Sequence, residues 1–160
     1  MTNNQNKRPK TNAAATNKDA MLKLDNQLCF ALYVCSKEII RKYKPILDPL
    51  DLTYTGYITL LALWEADEVT VKDLGTRLYL DSGTLTPLLK KLEAQGYIER
   101  SRSVTDERNV VIKLTHEGRK LKNKAYRIPQ DLICSVNLGD IDAYGLLSSL
   151  HQFMERIIDT

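Results

Sequence analysis

The hydrophobic period changes at Gly96, and no other feature limits the fold so strongly. Before it, Leu85, Leu88, Leu89 and Leu92 recur at i, i+3, i+4 and i+7, which places them on one face of a helix. After it the period is two. Tyr97, Ile98, Glu99 and Arg100 open a strand, and Val110, Ile112 and Leu114 alternate with Val111, Lys113 and Thr115 in a second. Asp81 and Ser82 are N-cap residue types, and Gly96 stands where a glycine C-cap belongs. The helix therefore has a leucine back. Its front carries Ser82, Gly83, Thr84, Thr86, Pro87, Lys90, Lys91 and Ala94. Small and hydroxylated residues let a helix approach base edges, and lysines neutralise phosphates.

The hairpin tip after this helix gathers Arg100, Arg102, Asp106, Glu107 and Arg108. Asp106 is expected on the same face as Arg108, where a carboxylate holds a guanidinium in a fixed direction. Three arginines at a hairpin tip fit a phosphate or minor-groove probe, whereas each charge alone fits a solvated surface. The order helix, glycine, strand, basic tip, strand favours DNA. Pro87 removes a hydrogen bond from the second helical turn, so a late or tightened helix start is expected, with Pro87 on the DNA side.

LDSGTLTPLLKKLEAQGYIER followed by DERNVVIKLTHEG resembles the winged helix-turn-helix of the MarR family. The version LYLDSGTLTPLLK resembles the branch that senses organic hydroperoxides, the OhrR-like regulators. The resemblance implies a mainly α fold with a small β-wing. It also implies a dimer joined through the N- and C-terminal helices.

The remaining chain fits that plan. Residues 1–19 hold Lys7, Arg8, Lys10 and Lys18 without periodicity and read as a disordered basic arm. Residues 20–160 read as one MarR-type domain. Its winged helix-turn-helix spans about 53–115, and its dimerisation helices span about 20–45 and 117–160. The first helix runs from Met21 to about Tyr43, and Pro45 ends it. Its stripe of Leu24, Leu28, Ala31, Leu32, Cys35 and Ile39 lies beside a second row, Cys29, Tyr33, Ser36 and Ile40. Two faces on one helix suggest burial against two bodies, one of them a partner subunit. Thr53 starts a second helix, residues 65–69 read as a loop, and Thr70 with Asp73 caps a third. A helix from Glu117 to about Val136 is expected to kink at Pro129. A last helix begins at Asp140 or Asp142, with a seam of Ala143, Leu146, Leu147, Leu150, Met154 and Ile157.

Asp25 or Asn26 is a candidate cap for the first helix, which puts Cys29 in its first turn. Unpaired N–H groups and the helix dipole favour negative charge there, and the thiolate is the form that attacks a peroxide. A small buried hydrophobe is the competing reading. The string DNQLCFALY resembles the peroxide-sensing segment of the OhrR-like branch. That resemblance implies Cys29 as the sensor and Tyr33, Tyr43 and Tyr54 as the tyrosines that surround and hydrogen-bond it. Those tyrosines also suit plain packing. Cys134 is placed like the second cysteine of branch members that close a disulfide to the other subunit's sensing cysteine. Its neighbours LICSV read equally as helix core, and Cys35 reads as core.

Composition limits the alternatives. The 160 residues carry a net charge of only +3 and 43% hydrophobic residues, so DNA affinity must come from local clustering and doubling in a dimer. Three cysteines without paired spacing do not make a secreted disulfide framework, and the longest apolar run is too short to span a bilayer. The cytoplasm is the expected compartment. There is no C-x-x-C, phosphate loop or metal-ligand pair, and His116 and His151 occupy ordinary positions. No metal or cofactor is expected, and a thiol peroxidase acting through Cys29 and Cys134 is disfavoured. The favoured reading is a dimeric repressor on a pseudo-palindromic double-stranded DNA operator, released when an organic hydroperoxide oxidises Cys29. The alternatives are a MarR-type regulator released by a small aromatic ligand and a global redox regulator without organic-peroxide selectivity.

Overall fold

Thr53, Thr70, Asp81 and Thr115 start four helices by the same means. Each side-chain oxygen accepts from the backbone N–H three residues on: Gly56 at 3.1 Å, Asp73 at 3.1 Å, Thr84 at 2.9 Å and Gly118 at 3.0 Å. The computed structural model describes residues 18–103, 108–136 and 138–158. Along them run α1 (Lys18–Met21), a 3-10 turn (Leu24–Asn26), α2 (Leu28–Leu47), a second 3-10 turn (Asp48–Leu50) and α3 (Tyr54–Glu65). Then come β1 (Val69–Thr70), α4 (Val71–Leu78), α5 (Ser82–Ala94), β2 (Ile98–Arg102) and β3 (Val110–Leu114). Three helices follow: α6 (His116–Ala125), α7 (Ile128–Ser135) and α8 (Ala143–Ile158).

The chain divides into two compact units, residues 1–38 and 39–160, with α2 running through the division. The first unit holds α1, the first 3-10 turn and the start of α2. Asn26 and Gln27 fold back there, donating to the carbonyls of Ala20 at 2.7 Å and Met21 at 2.5 Å.

The second unit is built around the leucine back of α5. Leu85, Leu89 and Leu92 are buried with Leu60 and Leu63 of α3 and Leu74 of α4, as their spacing predicts. Burying a leucine side chain contributes about 1.5–3 kcal/mol. Helix α5 ends at a left-handed Gly96, φ +76°. The Gly96 N–H donates to Glu93 O at 2.9 Å and the Tyr97 N–H to Leu92 O at 3.0 Å, the two bonds of a Schellman cap.

The chain then enters an antiparallel sheet ordered β1-β3-β2. Register pairs Ile98 with Leu114, Arg100 with Ile112 and Arg102 with Val110. The sheet has one strand more than the hairpin expected from sequence, because Val69 pairs with Ile112 and Thr70 with Val111. Asp67 fastens that edge. Its carboxylate accepts from the backbone N–H of Leu114 at 2.8 Å and from Arg119 at 2.6 Å.

Several local expectations change. Pro45 does not end the first helix; it lies inside α2, which continues to Leu47. A proline inside a helix removes one N–H, and the buried Leu47 beyond it anchors the last turn in the core. Helix α5 starts at Ser82 without delay, because Asp81 binds both the N–H and the hydroxyl of Thr84, and Pro87 is carried inside it. The long helix expected over residues 117–136 is two helices, α6 and α7, and Pro129 sits in the first turn of the second. Cys35, expected in the core, is exposed, and so is Cys134, for which helix core was one of two readings. Among the described residues, the apolar rows of α2 and α8 are left partly uncovered. Leu28, Ile39, Leu147 and Ile157 stand 61%, 41%, 50% and 56% exposed.

Candidate nucleic-acid interface and sensing helix

The front of α5 is open. Ser82, Thr84, Thr86, Pro87, Lys90 and Lys91 are all exposed, opposite the buried leucines. Thr84 is not a free hydroxyl, since it donates to Asp81 Oδ2 at 2.8 Å. The Thr84 N–H, and then that hydroxyl bond, hold the Asp81 carboxyl below its ordinary value, so the cap stays charged. Thr86 and Lys90 lie one turn apart with no such engagement among the described residues.

Arg100 is not at the hairpin tip. It lies inside β2, and its Nε and Nη2 reach Glu93 Oε2 at 2.7 and 2.6 Å. The pair joins the wing to the last turn of α5 and holds the Glu93 carboxyl below its usual range. Arg102 ends β2 and is exposed, with no ion pair among the described residues. Arg108 is exposed just before β3, whereas Asp106 lies outside the described residues.

A groove of about 940 Å³ runs between α4, α5 and the wing. Ser82, Thr86, Arg100, Arg108 and Asn109 line it together with Leu85, Leu89 and Val110. Lys72, Thr76 and Tyr79 of the preceding helix and turn also face it. Sequence reasoning missed these three, although the helix before a recognition helix is the usual neighbour of the backbone it crosses. Tyr79 is left-handed, φ 53°, and 64% exposed. A bulky residue in that conformation costs free energy, which the two bonds closing the turn offset: Tyr79 N–H to Thr76 O and Leu80 N–H to Gly75 O.

Cys29 is the second residue of α2 and is exposed. It lies in the helical turn expected, although the helix opens after Gln27 rather than at Asp25 or Asn26. Tyr33, one turn on, is 61% exposed, with the Lys37 ammonium 6.0 Å from its ring centre. In the second unit Tyr43 and Tyr54 come together, ring centres 4.9 Å apart, and Tyr57 joins them 5.8 Å from Tyr43. Burial, then the neighbouring Tyr54 and Tyr57, pushes the Tyr43 phenol up to about 12. Tyr43 is thus a persistent O–H donor. Tyr57, only 2% exposed, was not singled out from sequence because its spacing marks it as core. Cys134 is an exposed thiol on α7.

Residues 41–125, just over half the chain, match the family described as transcriptional regulator SarA/Rot. The chain is 49% identical over 141 residues to the organic hydroperoxide resistance transcriptional regulator of Bacillus subtilis, covering 88% of this chain and 96% of that protein. It is 45% identical over 136 residues to the HTH-type transcriptional regulator SarZ of Staphylococcus aureus, covering 85% and 92%. Among solved structures, reduced AbfR bound to DNA superposes with a TM-score of 0.74 at 32% identity, covering 89% of this chain and 96% of that one. AbfR, a Staphylococcus epidermidis protein, is also known overoxidised on DNA and with a disulfide formed. The chain belongs to the SarA/Rot family of MarR-type winged-helix regulators; it is a regulator of transcription and not an enzyme.

Proposed function

We propose that this protein is a dimeric operator-binding repressor that organic hydroperoxides release by oxidising Cys29. The observation that carries the reading is the place of Cys29. It is an exposed thiol in the first turn of α2, in a chain 49% identical to an organic hydroperoxide resistance regulator. The Cys29 thiolate attacks the outer peroxide oxygen. The O–O bond breaks, the departing alkoxide takes a proton to become the alcohol, and sulfur, two electrons poorer, becomes a sulfenic acid. A second thiol then attacks that sulfur, closing a disulfide and releasing water. Cys134 of the other subunit or a small cellular thiol supplies it.

On DNA, Ser82, Thr84, Thr86 and Pro87 face the major groove, Lys90 and Lys91 meet phosphates, and the wing arginines reach the adjacent minor groove. The exposed rows of α2 and α8 support a two-fold dimer joined there. A dimer places two recognition helices on half-sites about one helical turn, on the order of 10 bp, apart. Movement of α2 at such an interface changes that spacing. No helix of the described residues is long and apolar enough to cross a membrane, and the cytoplasm is the proposed compartment.

The test is binding to a fluorescent duplex from upstream of the chain's own reading frame, with and without stoichiometric cumene hydroperoxide. Salt-dependent binding that peroxide abolishes, and that persists in Cys29→Ser, is expected. Binding that peroxide leaves unchanged would remove the sensor and favour release by a small aromatic ligand. An equal response to hydrogen peroxide would remove the organic-peroxide selectivity.

A further inference from the structure

The C-terminal ends of α2 and α5 are bonded to each other. Beyond α2 the chain makes one 3-10 turn and reaches Asp51, which is left-handed at φ 51°. The Asp51 N–H donates to Asp48 O at 3.0 Å and the Leu52 N–H to Leu47 O at 3.2 Å, so Asp51 closes the end of α2. Gln95 is the C-cap of α5. Its Nε2 uses both hydrogens on Asp51, one to the backbone carbonyl at 2.6 Å and one to Oδ2 at 2.8 Å. The Tyr97 hydroxyl donates to Leu50 O at 3.3 Å, and Lys91 stands 3.7 Å from Asp51 Oδ1. Lys91 in the last turn of the recognition helix, and Gln95 and Tyr97 just beyond it, thus hold the turn that closes α2, the helix whose first turn carries Cys29.

The junction is polar and incompletely satisfied. Gln95 Oε1 is buried with no hydrogen-bond partner among the described residues. A carbonyl buried without a partner raises the free energy of the closed arrangement.

We infer that the Asp51–Gln95 junction transmits movement of α2 to the recognition helix, and that Gln95 is a positioning residue for the oxidative response rather than a DNA contact. The inference rests on the proposed oxidation of Cys29. In it, α2 moves when Cys29 is oxidised, Asp51 moves with its end, and the two bonds from Gln95 pull the C-terminus of α5 off its reduced position. Tyr97 carries the base of the wing along. A mutation that only loosens the fold weakens reduced and oxidised binding alike and leaves their ratio unchanged. A mutation in a transmitter changes the ratio.

The experiment measures duplex dissociation constants for the full-length protein, reduced and after cumene hydroperoxide, in wild type, Gln95→Leu and Gln95→Glu. Leucine keeps volume and deletes the donors, and glutamate sets a carboxylate against that of Asp51. The expected result is a loss of at least about tenfold on oxidation in wild type, and of less than about threefold in either variant that keeps its reduced affinity. Equal losses in wild type and variants overturn the junction and leave the sensor standing. A wild type indifferent to peroxide overturns the sensor, and the junction falls with it because nothing remains to transmit.

Discussion

The indole N–H of Trp64 donates to the carbonyl oxygen of Gly118 at 2.9 Å, across 54 residues of sequence. It pins α3 to the first turn of α6 and explains the LTHEG motif. Thr115 caps α6 and donates to Gly96 O at 2.6 Å, and Gly118 lies against the carbonyl of Tyr97. A Cβ on residue 118 would enter the van der Waals envelope of that carbonyl oxygen, and neither backbone is free to move away. Gly118→Ala is expected to destabilise the fold by more than about 3 kcal/mol, and Trp64→Phe, which deletes the donor and trims the ring packed against the core, by about 1–2 kcal/mol. Urea unfolding midpoints check both. Equal effects would show that the close approach is not the constraint.

Lys90 and Thr86 lie one turn apart on the open face of α5 and are assigned different work. Lys90→Ala should weaken every duplex alike and reduce the slope of log affinity against log salt by about one. Thr86→Ala should alter preference among duplexes and leave that slope unchanged. Anisotropy titrations over a salt series separate the two.

The Glu93 carboxylate offsets the charge of Arg100. Glu93→Gln should therefore strengthen DNA binding and steepen its salt dependence, the opposite of Arg102→Ala, which removes a cation without an ion-pair partner among the described residues. If Glu93→Gln weakens binding with no change in slope, the pair serves only to hold the wing.

Tyr43 titrates late, at about 12 against an ordinary 10.0. A raised phenol value favours the folded state fully below pH 10, and that contribution is lost as pH rises toward 12. Tyrosinate absorbance should show a component titrating near 12 that Tyr43→Phe removes. The same substitution should flatten the alkaline fall in stability. A full tyrosine titration complete near pH 10 would contradict the burial of this ring.

Cys134→Ser separates the two fates proposed for Cys29 after oxidation. Wild type treated with hydroperoxide should run as a covalent dimer without reductant, and Cys134→Ser should not. A covalent dimer that persists in Cys134→Ser would implicate another thiol. An adduct of the mass of an added small thiol, formed equally in both proteins, would assign resolution to that thiol.

The sequence by itself determined the elements whose bonds close within a few residues. Asp81 caps α5 through Thr84 three positions on, Gly96 adopts the positive φ its place requires, and Leu85, Leu89 and Leu92 at helical spacing bury one face. These interactions are local, so composition and period report them directly. Only the tertiary structure decided the rest. Strand β1 has two residues and no period of its own, and it exists because Ile112 and Val111 offer it an edge. Pro45 stays inside α2 because Leu47 beyond it is buried, although proline alone predicts an end. Arg100 turns to Glu93 instead of the wing tip, Tyr57 joins Tyr43 and Tyr54, and Gln95 reaches Asp51, 44 residues away. Such contacts depend on where whole elements pack, and no residue spacing encodes a partner that folding brings from elsewhere in the chain.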